Sequence, residues 1–448
     1  MKVKQISVQN LFGLFNHTVP LNLPDRMTII HGPNGYGKTI LLKMVDGLFK
    51  KNYSIFRRIP FETFRIDFDD GKSISVKQSS TKGQHEKVRV TISSLHSEDK
   101  PLVIESSETK QPPFPVSAIE DIISELTRVG SAEWLDQRTG QVLSLDDVRD
   151  KYGDSLPFPI ENRQTPKWLK DIQNEVVTHF VQTNRLLSPQ TLNKRATRHF
   201  ERDSFPTSVS SVTEYSRELA DRLQKTLAAS AELSQSLDRS FPKRLVDQLS
   251  TPRQSRLSTE KLRNELRSLE EKRSNLMSAG LMDKSDSDVQ IPEGVEVADL
   301  ARIVLSIYAK DVEKKLKVYD EILAKISLLQ RIINARYSYS FKSLRVDKSR
   351  GFVFETKSGT TLSAEALSSG EQHELVLFYE LLFKVQPNSL ILIDEPEISL
   401  HIAWQQEFLK DLAEISNLSN IDVVIATHSA DIIYDKWNLT VELQGPSA

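Results

Sequence analysis

Residues 32–39 read Gly32-Pro33-Asn34-Gly35-Tyr36-Gly37-Lys38-Thr39, and no other stretch of the chain restricts its fold as tightly. The apolar run 27–30 leads straight into the loop, and the segment after it places Ile40, Leu41, Met44, Val45 and Leu48 on one helical face. A strand, a glycine turn and a helix start are the setting in which GxxxxGK[ST] wraps a phosphate. Backbone N–H groups point inward, and the helix N-terminus adds the positive end of its dipole. In such a loop Lys38 neutralises the β and γ phosphates of a nucleoside triphosphate, and the Thr39 hydroxyl holds Mg²⁺. The nucleotide-binding candidates are Asn34, Gly35, Gly37, Lys38, Thr39 and Ile40.

A second apolar strand, residues 390–393, releases two adjacent carboxylates in Asp394-Glu395-Pro396. Asp394 suits ligation of Mg²⁺ and Glu395 suits activation of an attacking water, so the catalytic candidates include Lys38 and Glu395 and the metal candidates Thr39 and Asp394. Leu367-Ser368-Ser369-Gly370-Glu371-Gln372 stands before a helix; read alone, Ser368 is a helix cap with a carboxylate three residues on.

Alternating patterns over residues 2–31 and 61–95 predict strands, with Asp69-Asp70-Gly71-Lys72 as a hairpin turn and an antiparallel sheet beside the nucleotide core. A helix is expected over 118–128, and a buried strand over 176–181 that exits into Gln182-Thr183-Asn184-Arg185. From about residue 212 the spacing turns helical. Helices are expected from there, over 259–277, and over 297–335 after a polar linker at 283–294, forming a projecting coiled-coil arm or, as the broken middle favours, something short. The last hundred residues return to strands at 352–356, 390–393 and 423–426 with helices from Gly370 and Ile402, so the two ends of the chain co-fold.

The 448 residues carry 59 Lys and Arg against 61 Asp and Glu, which excludes a chain given over wholly to coating nucleic acid or acidic membrane. Residues 191–280 hold 17 basic against 12 acidic side chains, read first as a solvated helix face and second as a nucleic-acid track. The absence of cysteine removes disulfides, thiolate metal sites and a cysteine nucleophile. No signal peptide and no apolar run of the roughly 18 residues needed to span a bilayer is visible, so a cytoplasmic location without membrane contact is expected. His17, His31, His85, His96, His179 and His199 show no metal-ligand spacing and are assigned no chemistry.

Taken together, the phosphate loop, Leu367 to Gln372 and Asp394-Glu395 resemble the ABC-type ATPases, on the branch that includes SMC, RecF and the overcoming-lysogenisation-defect nucleases. Ser369 stands where the transporter version has its first glycine, and 330 residues separate Lys38 from Ser368, both of which suit that branch. The resemblance implies an α/β fold: an ABC-type ATPase head with a mixed sheet, an antiparallel β lobe and an inserted α-helical, coiled-coil-like subdomain. It divides the chain into 1–207 and 337–448 as the halves of the head and 208–336 as the insertion.

It also implies ATP and Mg²⁺ as cofactors, Ser368 and Gly370 as ligands of a γ-phosphate held by a second copy, and His428, after the strand 423–426, as a catalytic contact to that phosphate. Gln182 becomes a contact to Mg²⁺, Leu400 and His401 contacts at a dimer seam, and Arg185 a further candidate. The opening segment, residues 10–15, and residues 233–242 resemble single-chain ATPases of prokaryotic antiphage operons such as PARIS and Septu. The partners this implies are a second copy in a homodimer or higher even-numbered oligomer, a separate nuclease of toprim or HNH type, a phage protein as trigger, and DNA. With the chain ending shortly after His428, a toprim domain is expected on a separate polypeptide.

Overall fold

The structure is a computed structural model of the whole chain. It describes residues 1–81, 87–94, 100–105, 119–120, 123, 125–130, 133–137, 142–152, 165–181, 211–249, 258–283 and 291–446. The chain divides into two compact units, Met1–Val209 with Lys384–Ala448, and Ser210–Phe383.

The first unit begins with β1 (Val3–Leu11), β2 (Phe15–Pro20), β3 (Met27–His31), α1 (Lys38–Phe49), α2 (Ser54–Arg58), β4 (Thr63–Phe68), β5 (Ser73–Thr81), β6 (Lys87–Ser94) and β7 (Leu102–Glu105). Six of these strands form an antiparallel sheet in the order β2-β1-β4-β5-β6-β7. One face is apolar by alternation, with Ile6 and Val8, Phe64, Ile66 and Phe68, Ile74 and Val76, and Val90 and Ile92. It shares a single buried core with Leu41, Leu42, Met44, Val45 and Leu48 of α1. The expected hairpin joins β4 to β5, and Gly71 at φ 85° supplies its left-handed residue.

Next come β8 (Leu126–Arg128), β9 (Glu133–Asp136), β10 (Val142–Ser144) and α3 (Leu145–Tyr152), which close a satellite core around the fully buried Trp134. This corrects the helix expected over 118–128. Ile119 and Ile123 are joined by a helical bond, but Leu126 to Arg128 pair with Trp134 to Asp136 as an antiparallel strand.

After α4 (Lys167–Glu175) comes β11 (Thr178–Val181), shorter than the apolar run 176–181 because Val176 caps α4. The second unit then holds α5 (Ser211–Leu249), α6 (Thr259–Ser278), α7 (Asp299–Lys317), α8 (Asp320–Tyr337), β12 (Lys342–Asp347), β13 (Gly351–Thr356), β14 (Thr361–Leu362) and α9 (Ser369–Tyr379). Helices α5 and α6 pack on α7, and β12-β13-β14 form an antiparallel sheet against α5 and α8. The single helix expected over 297–335 is two. Lys314, Lys315 and Lys317 end α7 and Asp320 and Glu321 open α8, so each charge set opposes the helix dipole end beside it.

The first unit resumes with β15 (Leu390–Asp394), α10 (Ile402–Ser419), β16 (Asp422–Thr427), α11 (Ala430–Ile433) and β17 (Thr440–Glu442). These complete a five-stranded, all-parallel sheet in the order β11-β15-β16-β3-β17. Every residue of β15 is buried, as expected of a parallel strand covered on both faces. Its register pairs Asp394 with Ala426 and Ala426 with Ile30, so the phosphate loop, the carboxylate pair and His428 all leave the carboxyl edge of one sheet.

Candidate nucleotide-binding site

The phosphate loop is held from below. Gly37, at φ 85°, sits so close to β1 that a Cβ there would lie 2.6 Å from Leu11 Cδ2, which leaves glycine as the residue that fits. His17 of β2 lies 2.8 Å through Nε2 from the carbonyl of Tyr36, inside the loop, and its ring stacks on Phe15. Burial holds the imidazole pKa below its usual value, which favours a neutral ring donating Nε2–H to that carbonyl. From sequence alone His17 has no assigned role. The available signal was its place in the buried set Phe15, His17 and Val19, where period-two alternation calls for an apolar residue.

Lys38 is 5% exposed, and its amine donates to the carbonyls of Gly32 at 2.6 Å and Pro33 at 3.1 Å. Burial lowers its pKa, opposed by Glu395, Glu397 and Asp394. Thr39 donates its hydroxyl to Asp394 Oδ1 at 2.9 Å across 355 positions of sequence. Burial raises the Asp394 pKa, and the charges of Glu395 and Glu397 add to the rise, while the Thr39 bond and Lys43 oppose it.

A buried ammonium on backbone carbonyls beside a hydroxyl–carboxylate pair fits a triphosphate carrying Mg²⁺. The phosphate oxygens are better acceptors for Lys38, and Thr39 and Asp394 present two oxygens for a hard cation. Among the described residues no group of three His, Cys, Asp or Glu side chains could hold a metal ion.

Glu395 follows β15 in the left-handed region, φ 43° and ψ 59°, with its N–H on the carbonyl of Ala426 at 2.8 Å. Such a backbone is costly for a residue with a side chain, and here it turns the carboxylate out of the sheet edge. His428 Nδ1 stands 3.9 Å from Glu395 Oε1 and 3.0 Å from Oε1 of Glu397, a residue with no assigned role in the sequence reading. Leu400 is buried and His401 exposed, while Ile398 and Ile402 beside them expose apolar side chains.

Lys38, Thr39, Asp394, Glu395 and His428 are thus brought to one edge. Asn34 and Gly35 lie in the loop and Ile40 in the first turn of α1. Strand β11 is tied to α1 by Thr178 donating to Asp46 at 3.0 Å, but Gln182 and Arg185 lie outside the described residues.

In the other unit, Ser368 caps α9. Its hydroxyl accepts from the N–H of Glu371 at 3.3 Å, and its own N–H donates to the Glu371 carboxylate at 2.7 Å. Glu371 also accepts from Ser340 at 2.6 Å and Lys342 at 2.8 Å. Burial alone would raise its pKa, but these hydrogen bonds and the Lys342 charge hold it below the usual carboxylate value. Ser368 and Ser369 stay exposed at the helix N-terminus, with Gly370 in its first turn.

The fold is α/β, with a parallel core and an antiparallel lobe. The chain belongs to the AAA ATPase domain family, whose model matches residues 1–433. No curated protein matches it. Among solved structures it is similar to the SmcHead bound to the C-winged helix domain of ScpA (10% identity, 97% of this chain and 91% of that one, TM-score 0.32). It is also similar to the SMC head domain from Thermotoga maritima (10% identity, 97% and 91%, TM-score 0.29). A third is the recombination mediator protein RecF of the RecFOR pathway (14% identity, 99% and 98%, TM-score 0.27). No helix among the described residues is long and apolar enough to cross a membrane.

Proposed function

We propose that the chain binds and hydrolyses ATP with Mg²⁺ and works as a nucleotide-driven dimerisation switch. The observation that carries this reading is the convergence of Lys38, the Thr39–Asp394 pair, Glu395 and His428 on one sheet edge, from segments more than 350 residues apart. Bound Mg²⁺ would draw charge from the phosphates, held by Thr39 and Asp394. Lys38 neutralises the triphosphate, and Glu395 takes a proton from the attacking water. A second copy contributes Ser368 and Gly370 to the γ-phosphate, so ATP holds two protomers together and its hydrolysis releases them. The exposed Ile398 and Ile402 beside the catalytic edge support a seam there.

The test is the solution mass of the Glu395→Gln variant with and without Mg²⁺ and ATP. A dimer that forms only with nucleotide is expected, and a strictly monomeric protein overturns the switch. In the cell we place the chain as sensor or scaffold of an antiphage system that holds a separate toprim or HNH nuclease, supported by the likeness of residues 10–15 and 233–242 to such ATPases. The alternative, a DNA-clamping repair or chromosome ATPase, draws support from the basic excess over residues 191–280. ATP-stimulated, salt-dependent duplex binding would favour the clamp, and no binding at low salt would remove it.

A further inference from the structure

Glu397 is a buried carboxylate, 9% exposed, on the 3₁₀ turn Pro396–Ser399 that follows the catalytic pair. Its two oxygens are used unequally. Oε1 accepts the Thr427 hydroxyl at 2.7 Å and the His428 N–H at 3.0 Å, and meets His428 Nδ1 at 3.0 Å; Oε2 is buried with no hydrogen-bond partner among the described residues. An ionised carboxylate only accepts, so an imidazole nitrogen at 3.0 Å from it carries the proton. Glu395, 3.9 Å from the same nitrogen, is too far to fix the ring. The other ring nitrogen, Nε2, is then the one that His428, 44% exposed at its side chain, has left to offer.

We infer that Glu397 is a positioning residue that locks His428 with Nδ1–H turned to the turn Pro396–Ser399, so that Nε2 is the atom presented to the γ-phosphate, to which it donates once it too carries a proton. The same oxygen ties the Thr427 hydroxyl and the His428 N–H to that turn, so the carboxylate sets ring orientation and strand-end position together. Glu395 is thereby left free of the histidine for its work on water. This inference rests on the ATPase reading for the identity of the group that Nε2 meets; the pairing itself does not.

The first test needs no variant. Long-range ¹H–¹⁵N correlation on the nucleotide-free full chain at roughly pH 8.5, where imidazoles are neutral, reports the tautomer, with His428→Ala to assign the signal. The Nδ1–H form is expected, and an Nε2–H form overturns the inference. Glu397→Gln keeps an acceptor oxygen and is expected to keep the Nδ1–H form; Glu397→Met removes the acceptor and is expected to shift the ring to Nε2–H.

The second test is a kinetic cycle. Glu397→Met is expected to lower kcat about tenfold or more at little changed KM, with Glu397→Gln recovering most of the loss. In a His428→Ala background Glu397→Met should add little further loss. Losses that multiply in the double variant would show Glu397 acting apart from the histidine and overturn the inference. Should the Met variant fail to fold, the wild-type tautomer spectrum still decides the matter. Absence of any hydrolysis by the unaltered chain would instead remove the ATPase reading, leaving the tautomer spectrum to judge the pairing.

Discussion

The carboxyl edge of the parallel sheet and the helix start at Ser368 both display groups suited to phosphate, but they hold them in opposite ways. At the sheet edge the polar groups lean on makeshift partners. Lys38 sits on its own loop's carbonyls, Glu395 has a left-handed backbone, and one oxygen of Glu397 has no partner among the described residues. At Ser368 the main groups are satisfied by their neighbours: the Glu371 carboxylate accepts from Ser340, Lys342 and the Ser368 N–H, and the Ser368 hydroxyl accepts from the Glu371 N–H. The first arrangement gains by taking up a ligand, whereas the second is a finished support that presents an exposed serine. Substitutions should therefore cost activity without stability in one place and stability in the other.

The largest effect is expected at Lys38. Lys38→Met should lower ATP hydrolysis by about a hundredfold or more, since the ammonium proposed to neutralise the transferring phosphoryl group is lost. Its folding should hold or improve, because burial disfavours the charged form and Met fills much of the same space without a charge. Thermal unfolding of the nucleotide-free variant, read beside its turnover, checks both halves. A large drop in melting temperature would break the contrast, because it would make Lys38 a structural residue.

Glu371 gives the reverse case. Its pKa is depressed in the folded chain, so its contribution is present above the ordinary carboxylate value and is lost as pH falls through the lower folded value. Glu371→Gln should cost roughly 3 kcal/mol at pH 7, in the range for removing one partner of a buried charge pair. The gap between variant and wild type should narrow as the pH drops below the ordinary carboxylate range. Denaturant melts at several pH values test this, and a gap independent of pH would show that the Lys342 contact contributes no charge-dependent stability.

The same contrast explains what could be read in advance. The phosphate loop and the carboxylates of β15 were legible because their chemistry is written locally: a motif, a buried run and the turn that follows. The core strands were legible for a related reason, since Leu390 to Ile393 and Val423 to Ala426 are continuous apolar runs of strand length, whereas their all-parallel order, in place of the expected mixed sheet, was not. Three-residue β8 was not, because Leu126 becomes a strand residue only through its partner Trp134 to Asp136, and local pattern carries no record of that pairing. The break between α7 and α8 was written in the charge reversal from Lys317 to Asp320, which the unbroken apolar stripe obscured. His17 and Glu397 act through partners 19 and 30 or more positions away, so their roles appear only once the sheet aligns its strand ends.

The smallest change in folding is expected at Ser368, where cap and recognition can be separated. Ser368→Ala removes the side-chain acceptor for the Glu371 N–H and should cost about 1 kcal/mol. Aspartate caps a helix as well as serine does, and its charge faces the positive end of the dipole, so Ser368→Asp should change stability by only a few tenths of a kcal/mol. That same charge sits where a second copy's γ-phosphate is to be received, and two anions brought together repel. Melting within about a degree of wild type, with loss of the nucleotide-dependent dimer in a Glu395→Gln background, is therefore the expected pair of results. Retention of that dimer by Ser368→Asp would mean that the serine is a cap and nothing more, and the phosphate would have to be gripped from one side only.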